Sequence, residues 1–390
     1  MLEIINVKKA TLWILKGVKS TDSSYYCRII MLSPIKKEKL NYDFVDSLRF
    51  IAIITIVLEH TYMWPEPKFF KDVYEQSIQL FTMQVFKFGT ILFYILAGFL
   101  IGDKIRTTTS LQYLKKRFDG TFKPWLFWIG VFLVLIYANL LVVYLKGSWS
   151  PMFEKPIWGF GEQIYDIIVK TSFWFILNFL GSIAILLIFR RYLYKIQLGI
   201  FFGICSLFYS VNLYYEWIYS THTTAILGFV FYLWLGVILH KNFQQFNDWI
   251  KRRSIYTLLL ASIFALVISC YESYYLINAK IQGDPYNTLR VSNIVYSLVS
   301  FLFLYRLGNP KWIKKLNPRS STYGIHLIHF IIIMQILPQI FNPLGIGPEG
   351  KTSFELVILQ YIRFFIVYFA SYFIVYIINK FDKIKWIIGQ

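Results

Sequence analysis

The sequence predicts an all-α fold, a polytopic transmembrane helical bundle of about ten spans with both termini in the cytoplasm. Three observations carry that prediction. The 390 residues are 57% hydrophobic and 20% aromatic, with only 16% charged, and the mean hydropathy is +0.52, outside the range of soluble globular chains. Apolar stretches of about 20 residues, the length that crosses a hydrocarbon core, recur from the first tenth of the chain to its end. The 40 lysines and arginines gather in short clusters between those stretches.

The spans are expected to begin near residues 44, 82, 124, 171, 197, 224, 256, 291, 320 and 356, the fifth, Leu198 to Val211, being the shortest. When the connecting segments are assigned alternately to two sides, one side holds 29 of the lysines and arginines and the other eight, while Arg49, Lys87 and Arg363 fall inside spans. The side rich in Lys and Arg includes both tails and is the cytoplasmic one. The formal charge of +19 is therefore a topology signal, and because it is spread over many loops it does not form a nucleic-acid surface.

Residues 1–43 read as a cytoplasmic tail, 44–378 as the transmembrane domain and 379–390 as a second cytoplasmic tail. Within the first tail the longest uncharged apolar run, Ala10 to Leu15, is too short for a signal peptide. Met31, followed by the polar run Ser33 to Asp43, reads as an alternative start, so residues 1–30 are expected to be dispensable. The longest connection, Lys146 to Lys170, is expected to be an outer loop and carries Trp149, Pro151, Pro156 and Trp158. Trp64, Trp125, Trp217 and Trp312 fall near span ends, where amphipathic aromatics favour the interface. Gly89, Gly98, Gly228 and Gly236, inside spans, are expected to permit close helix packing. Cys27, Cys205 and Cys270 form no pattern of disulfide or thiolate-metal spacing.

The first span holds the most telling pair. In DSLRFIAIITIVLEH, Asp46 to His60, Arg49 and His60 lie eleven positions apart. At 100° per residue, eleven steps end about 20° past three full turns, so both side chains leave one helix face about 16 Å apart. Ionisable groups at membrane depth are costly and mark functional sites. Glu59, one residue from His60, points about 100° away and is expected to pair near the outer interface.

These residues carry a resemblance to the acyltransferase 3 family, integral membrane acyltransferases that modify bacterial surface polysaccharides and related acceptors. The likeness runs over roughly residues 42–378. Its hallmark is the Arg and His separated by ten residues in the first helix, here Arg49 and His60, preceded by Asp46. FYILAGFLIG (Phe93 to Gly102) is similar to the family's aromatic-rich run, although Ala97 stands where Ser is usual. Trp174 and Phe175, early in the fourth span, and STYGIHLIH (Ser321 to His329) are further matches. The loop YLKKRFDGTFKP offers Lys115, Lys116 and Arg117 where the family carries an Arg-x-x-Arg pattern, and the second Arg is absent.

The resemblance implies transfer of an acyl group, with acetyl the expected one, from cytoplasmic acyl-CoA to a hydroxyl of a cell-surface polysaccharide or lipid-linked glycan, in the inner membrane. No bound cofactor is expected, and acyl-CoA is the donor substrate. Such a transfer needs a base for the hydroxyl proton, for which neutral imidazole is suited near pH 7, and cations for the donor's phosphates, for which the guanidinium fork is suited. His60 is the expected base, with His329 a second catalytic candidate. Arg49, Arg117 and Lys116 are the candidates for the donor.

His326, one turn before His329, points to a similar side, but no third and fourth ligand at metal-binding spacing accompanies the pair. Lys314, Lys315 and Arg319 are open to CoA phosphates or to anionic lipid. Arg363, entering from the outer side, is expected at nearly the height of His60 and is open to a carbonyl, a carboxylate or substrate. His222 and His240 fall at span ends and are expected to meet water. Membrane lipid and proteins of polysaccharide synthesis are the expected surroundings and partners. The main alternative is an exporter of polysaccharide or lipid-linked glycan without acyl-transfer chemistry, because polar pairs inside bundles also serve translocation. A second is an assembly component of a polysaccharide synthase, in which Arg49 and His60 would tolerate substitution.

Overall fold

The computed structural model describes residues 42–63, 72–105, 107–150, 156–219, 221–281 and 283–390, the side chains of residues 156–158 excepted. The expectations for residues 1–41, including Cys27 and the alternative start, and for Trp64 lie outside the described residues. Everything described beyond Tyr42 belongs to one unit, Asp43–Gln390, and is helical, with no strand among the described residues.

The helices follow the expected order. They are α1 Asp43–His60, α2 Val73–Gln84, α3 Gly89–Lys104, α4 Ser110–Arg117, α5 Lys123–Leu145, α6 Pro156–Lys170, α7 Trp174–Ile188, α8 Ile196–Tyr215 and α9 Ile226–Lys241. They continue as α10 Phe243–Lys251, α11 Ile255–Asn278, α12 Val291–Leu307, α13 Pro318–Ile331, α14 Leu337–Phe341 and α15 Ser353–Ile378. Six helical stretches are long and apolar enough to cross a membrane, and eight if each of two bent pairs counts as one span. α1, with four charged side chains in 18 residues, and α12, with 17 residues, stand outside that set. The fifth expected span is a full helix of 20 residues.

Local chemistry sets the ends. Asp43 and Asp46 place negative charge in the first turn of α1, where the helix dipole favours it. Thr352 and Glu355 form a capping box that starts α15. The expected outer loop Lys146 to Lys170 is only partly a loop. Proline opens α6 at Pro156, and this helix is bent by 67° from α7, so the fourth span is a broken one. The missed signal is Pro156 itself, whose fixed φ suits the first helical position.

Helices in lipid gain little from hydrophobic exclusion and associate through close packing and interhelical hydrogen bonds. The glycines serve that end. A Cβ on Gly98 would lie 2.0 Å from the Leu233 carbonyl oxygen, and one on Gly236 would lie 2.1 Å from that of Ile95, so α3 and α9 meet backbone to backbone. Hydroxyls add links, such as Ser262 to Ser300 between α11 and α12 at 2.9 Å. The central apolar cluster joins Ile53 and Val57 of α1, Trp125 and Phe132 of α5, Ile325 and Ile328 of α13 and Val367 of α15. Trp125 is no interfacial anchor. It is buried, and its indole N–H donates to the Phe173 carbonyl at 3.1 Å, bracing the break before α7.

Gly236→Val is expected to cost about 3 kcal/mol or more, because the added atoms meet a backbone that cannot rotate away. Thermal unfolding of the detergent-solubilised protein, followed by size-exclusion profile, checks it.

Candidate active site

Several helices end or break at one place. α1 stops at His60. A turn over residues 85–88 separates α2 from α3, residues 171–173 separate α6 from α7, and α9 begins shortly after His222. α13 passes into a π-helical turn, Ile332–Ile336, just beyond His329. Broken backbone at membrane depth is tolerated where protein encloses it or where it lines a cavity, and π-turns recur at functional sites.

The two histidines singled out in the sequence meet there. His60 Nδ1 lies 3.0 Å from His329 Nε2, and the rings are nearly parallel, with centroids 5.2 Å apart. His329 is fully buried, and its Nδ1 lies 3.1 Å from the Ile325 carbonyl oxygen. A carbonyl only accepts, so His329 Nδ1 carries the hydrogen and, in the neutral ring, Nε2 holds the lone pair. His60 Nδ1–H must then donate to it. The lone pair of His60 is left on Nε2, turned away from His329. Phe330 meets the His60 ring edge-on at 5.4 Å.

Aromatic groups wall the site. Trp174 stacks on His222 with centroids 4.7 Å apart, and Phe175 meets His326 at 5.2 Å. His222 is thus not a loop residue in open water. The Asn178 amide donates to its carbonyl at 2.7 Å, and Tyr94 donates to Asn178 Oδ1 at 2.9 Å. His326 is buried beside His329. Glu59 does pair, as its position suggested, but inward: Lys87 Nζ lies 2.5 Å from its Oε1, and Lys87 is only 6% exposed.

Arg49 lies at the other end of α1. The helix is unbroken between it and His60, so the separation of about 16 Å on one face stands. The Arg49 guanidinium is 17% exposed and pairs with Asp46 at 3.2 Å. The positive charges of Arg319 and Arg117 also act on it. Arg117 is held by the Tyr113 hydroxyl, to which its Nε donates at 2.8 Å. Arg49 and Asp46 thus mark the end of α1 away from His60. Lys116 is exposed, and Lys314 pairs with Asp43 at 2.7 Å.

Arg363 is lower than its expected height. Gln360, one turn nearer the N-terminal end of α15, donates to the Leu58 carbonyl at 2.9 Å, so Arg363 is offset from His60 by about a turn toward the Arg49 end of α1. It is half-buried, with no acidic partner among the described residues. Sequence reading missed Lys87 and Arg290. Lys87 was flagged only by being a charge within a span. Arg290 was counted among outer-loop cations, whereas it is 0% exposed and bonded to Gln84, Ser269 and Asn287. Among the described residues no three His, Cys, Asp or Glu side chains are placed to hold a metal ion.

The acyltransferase 3 family model, described as an acyltransferase domain, matches residues 42–380. No curated protein and no solved structure matches the chain. With its apolar helices, its broken spans and a family match over most of its length, the chain belongs to the acyltransferase 3 family and is a membrane acyltransferase.

Proposed function

We propose that this enzyme moves an acyl group, acetyl in the simplest case, from cytoplasmic acyl-CoA to a hydroxyl of a cell-surface polysaccharide or lipid-linked glycan, in the inner membrane. The single observation that carries the proposal is the chain from His60 to His329 to the Ile325 carbonyl. It fixes the His60 tautomer with Nε2 free to take a proton, the arrangement a general base needs. His329 orients and supports the imidazolium that forms.

In this reading Arg49, Arg117 and Arg319 hold the phosphates of the donor, with Lys116 an outlying charge at the mouth. An extended thioester arm rising along α1 spans the distance to His60. The acceptor arrives from the outer side, where Trp174 and His222 offer an aromatic wall suited to a sugar ring. Ten crossings and two cytoplasmic termini complete this topology, with polysaccharide-synthesis proteins as suppliers of the acceptor.

Release of free CoA from acetyl-CoA by the purified protein, supplied with cell-envelope glycan, tests the proposal. An exporter consumes no thioester. Arg49→Gln is expected to raise the donor KM about tenfold or more, since a hydrogen bond to a charged group contributes about 1.5–3 kcal/mol. Initial rates across a range of acetyl-CoA concentrations check this; an unchanged KM would remove Arg49 from the donor site.

A further inference from the structure

We propose that Lys87 is a further catalytic residue, the cation that stabilises the oxyanion formed at the donor thioester, and that Glu59 positions it. This rests on the acyl-transfer reading above and adds a group that neither the sequence motif nor the family assigns.

The geometry comes first. α3 begins against α1: a Cβ on Gly89 would lie 2.4 Å from Thr55 Oγ1 and 3.0 Å from the Ala52 carbonyl oxygen. That contact presses the preceding turn onto the last turn of α1 and brings Lys87 Nζ within 2.5 Å of Glu59 Oε1. Glu59 and His60 both belong to the last turn of α1, so the ammonium stands within one helical turn of the imidazole. The ammonium and the His60 imidazole thus border one space at the end of α1. His60, His222 and Glu59 are each partly exposed, which leaves that space accessible.

The turn that carries Lys87 is itself held. Gln84 donates to Ser273 at 2.8 Å and accepts from Arg290 at 2.6 Å, and the Tyr296 hydroxyl donates to the Val85 carbonyl at 2.9 Å. A buried ion pair contributes little to stability and often less than an apolar pair of the same shape. Its position beside the base calls for another role. The ammonium has three N–H donors, and among the described residues only Glu59 takes one.

The step balances as follows. The acceptor hydroxyl gives its proton to His60 Nε2 while its oxygen bonds to the thioester carbonyl carbon, and the carbonyl oxygen takes the negative charge. Lys87 donates a hydrogen bond to that oxygen as the charge develops. Collapse breaks the C–S bond, and the departing thiolate recovers the proton from the His60 imidazolium. Glu59 keeps the ammonium protonated and fixed in place.

The test uses full-length protein in native membranes that carry the endogenous acceptor, with acetyl-CoA as donor and CoA release as readout. Lys87→Met is expected to lower kcat about 100-fold or more, with the donor KM changed by less than about threefold. The decisive variant is the double substitution Glu59→Gln with Lys87→Met, which removes both charges and keeps the shape. If Lys87 meets the oxyanion, the double variant stays as slow as Lys87→Met while its thermal stability returns to that of the wild type. Recovery of activity in the double variant, or a raised donor KM with unchanged kcat in Lys87→Met, overturns the proposal in favour of a structural or donor-binding pair. Should Lys87→Met fail to insert, the double variant and Lys87→Arg carry the comparison. Absence of CoA release from correctly folded wild-type protein would overturn the acyl-transfer reading and this assignment together, and is distinct from a defect confined to Lys87.

Discussion

His60→Ala is expected to lower acyl transfer by about 10²- to 10⁴-fold, the range a positioned general base supplies. The donor KM should stay near that of the wild type, because Arg49, Arg117 and Arg319 are untouched at the far end of α1. The substitution removes a ring that His329 and Phe330 contact, so the variant must be shown to insert and elute as the wild type does. His329→Phe is the informative companion. It keeps a ring of similar shape and removes the acceptor for His60 Nδ1–H. His60 can then adopt either tautomer, and the fraction with a free Nε2 falls. A loss smaller than that of His60→Ala, but well below wild-type activity, is expected. Equal activity of His329→Phe and wild type would show that the tautomer argument is wrong even if His60 is essential. Steady-state CoA release with membrane-embedded protein gives both numbers.

Much of this site was legible before the fold. Arg49 and His60 share a face because an unbroken helix of known pitch joins them, and α1 is unbroken. His329 came forward through the segment Ser321 to His329, and its height on α13 matches that of the end of α1. What periodicity does not carry is the contact between helices. Nothing in the spacing of one helix says that His329 Nε2 stands 3.0 Å from His60 Nδ1. Broken spans were equally hidden. Thr171 to Phe173 and the turn before Gly89 are apolar enough to read as continuous helix, and only Lys87, a charge within such a run, hinted at a break. Arg290 shows the converse. A cation just after the turn-rich stretch Gly283 to Thr288, between two apolar spans, reads as a loop residue, yet this loop folds inward, and its arginine becomes one of the largest fully buried side chains.

Arg290→Met is expected to destabilise the protein by about 3–5 kcal/mol, the cost of stranding one partner of a buried ion pair. The guanidinium donates from Nη2 to Gln84 Oε1 at 2.6 Å, from Nη1 to the Ser269 carbonyl at 3.0 Å and from Nε to the Asn287 carbonyl at 3.3 Å. Glu272 lies 3.8 Å away and is bonded in turn to Tyr214 at 2.5 Å and to Ser292. Loss of the cation leaves the Glu272 carboxylate without its counter-charge and the buried Gln84 carbonyl short of a donor. Tyr296→Phe is the milder probe of the same region. It deletes one hydrogen bond to the Val85 carbonyl and is expected to cost about 1 kcal/mol. Thermal unfolding should therefore rank wild type above Tyr296→Phe, and Tyr296→Phe well above Arg290→Met. The ranking should extend to activity at temperatures where all three remain folded, because Gln84 and Val85 lead directly into the turn that holds Lys87 against Glu59, while the hydrogen bond between His60 and His329 lies on helices this network does not touch. A folded Arg290→Met with full activity would mean that the Lys87 turn keeps its place without the network beneath it.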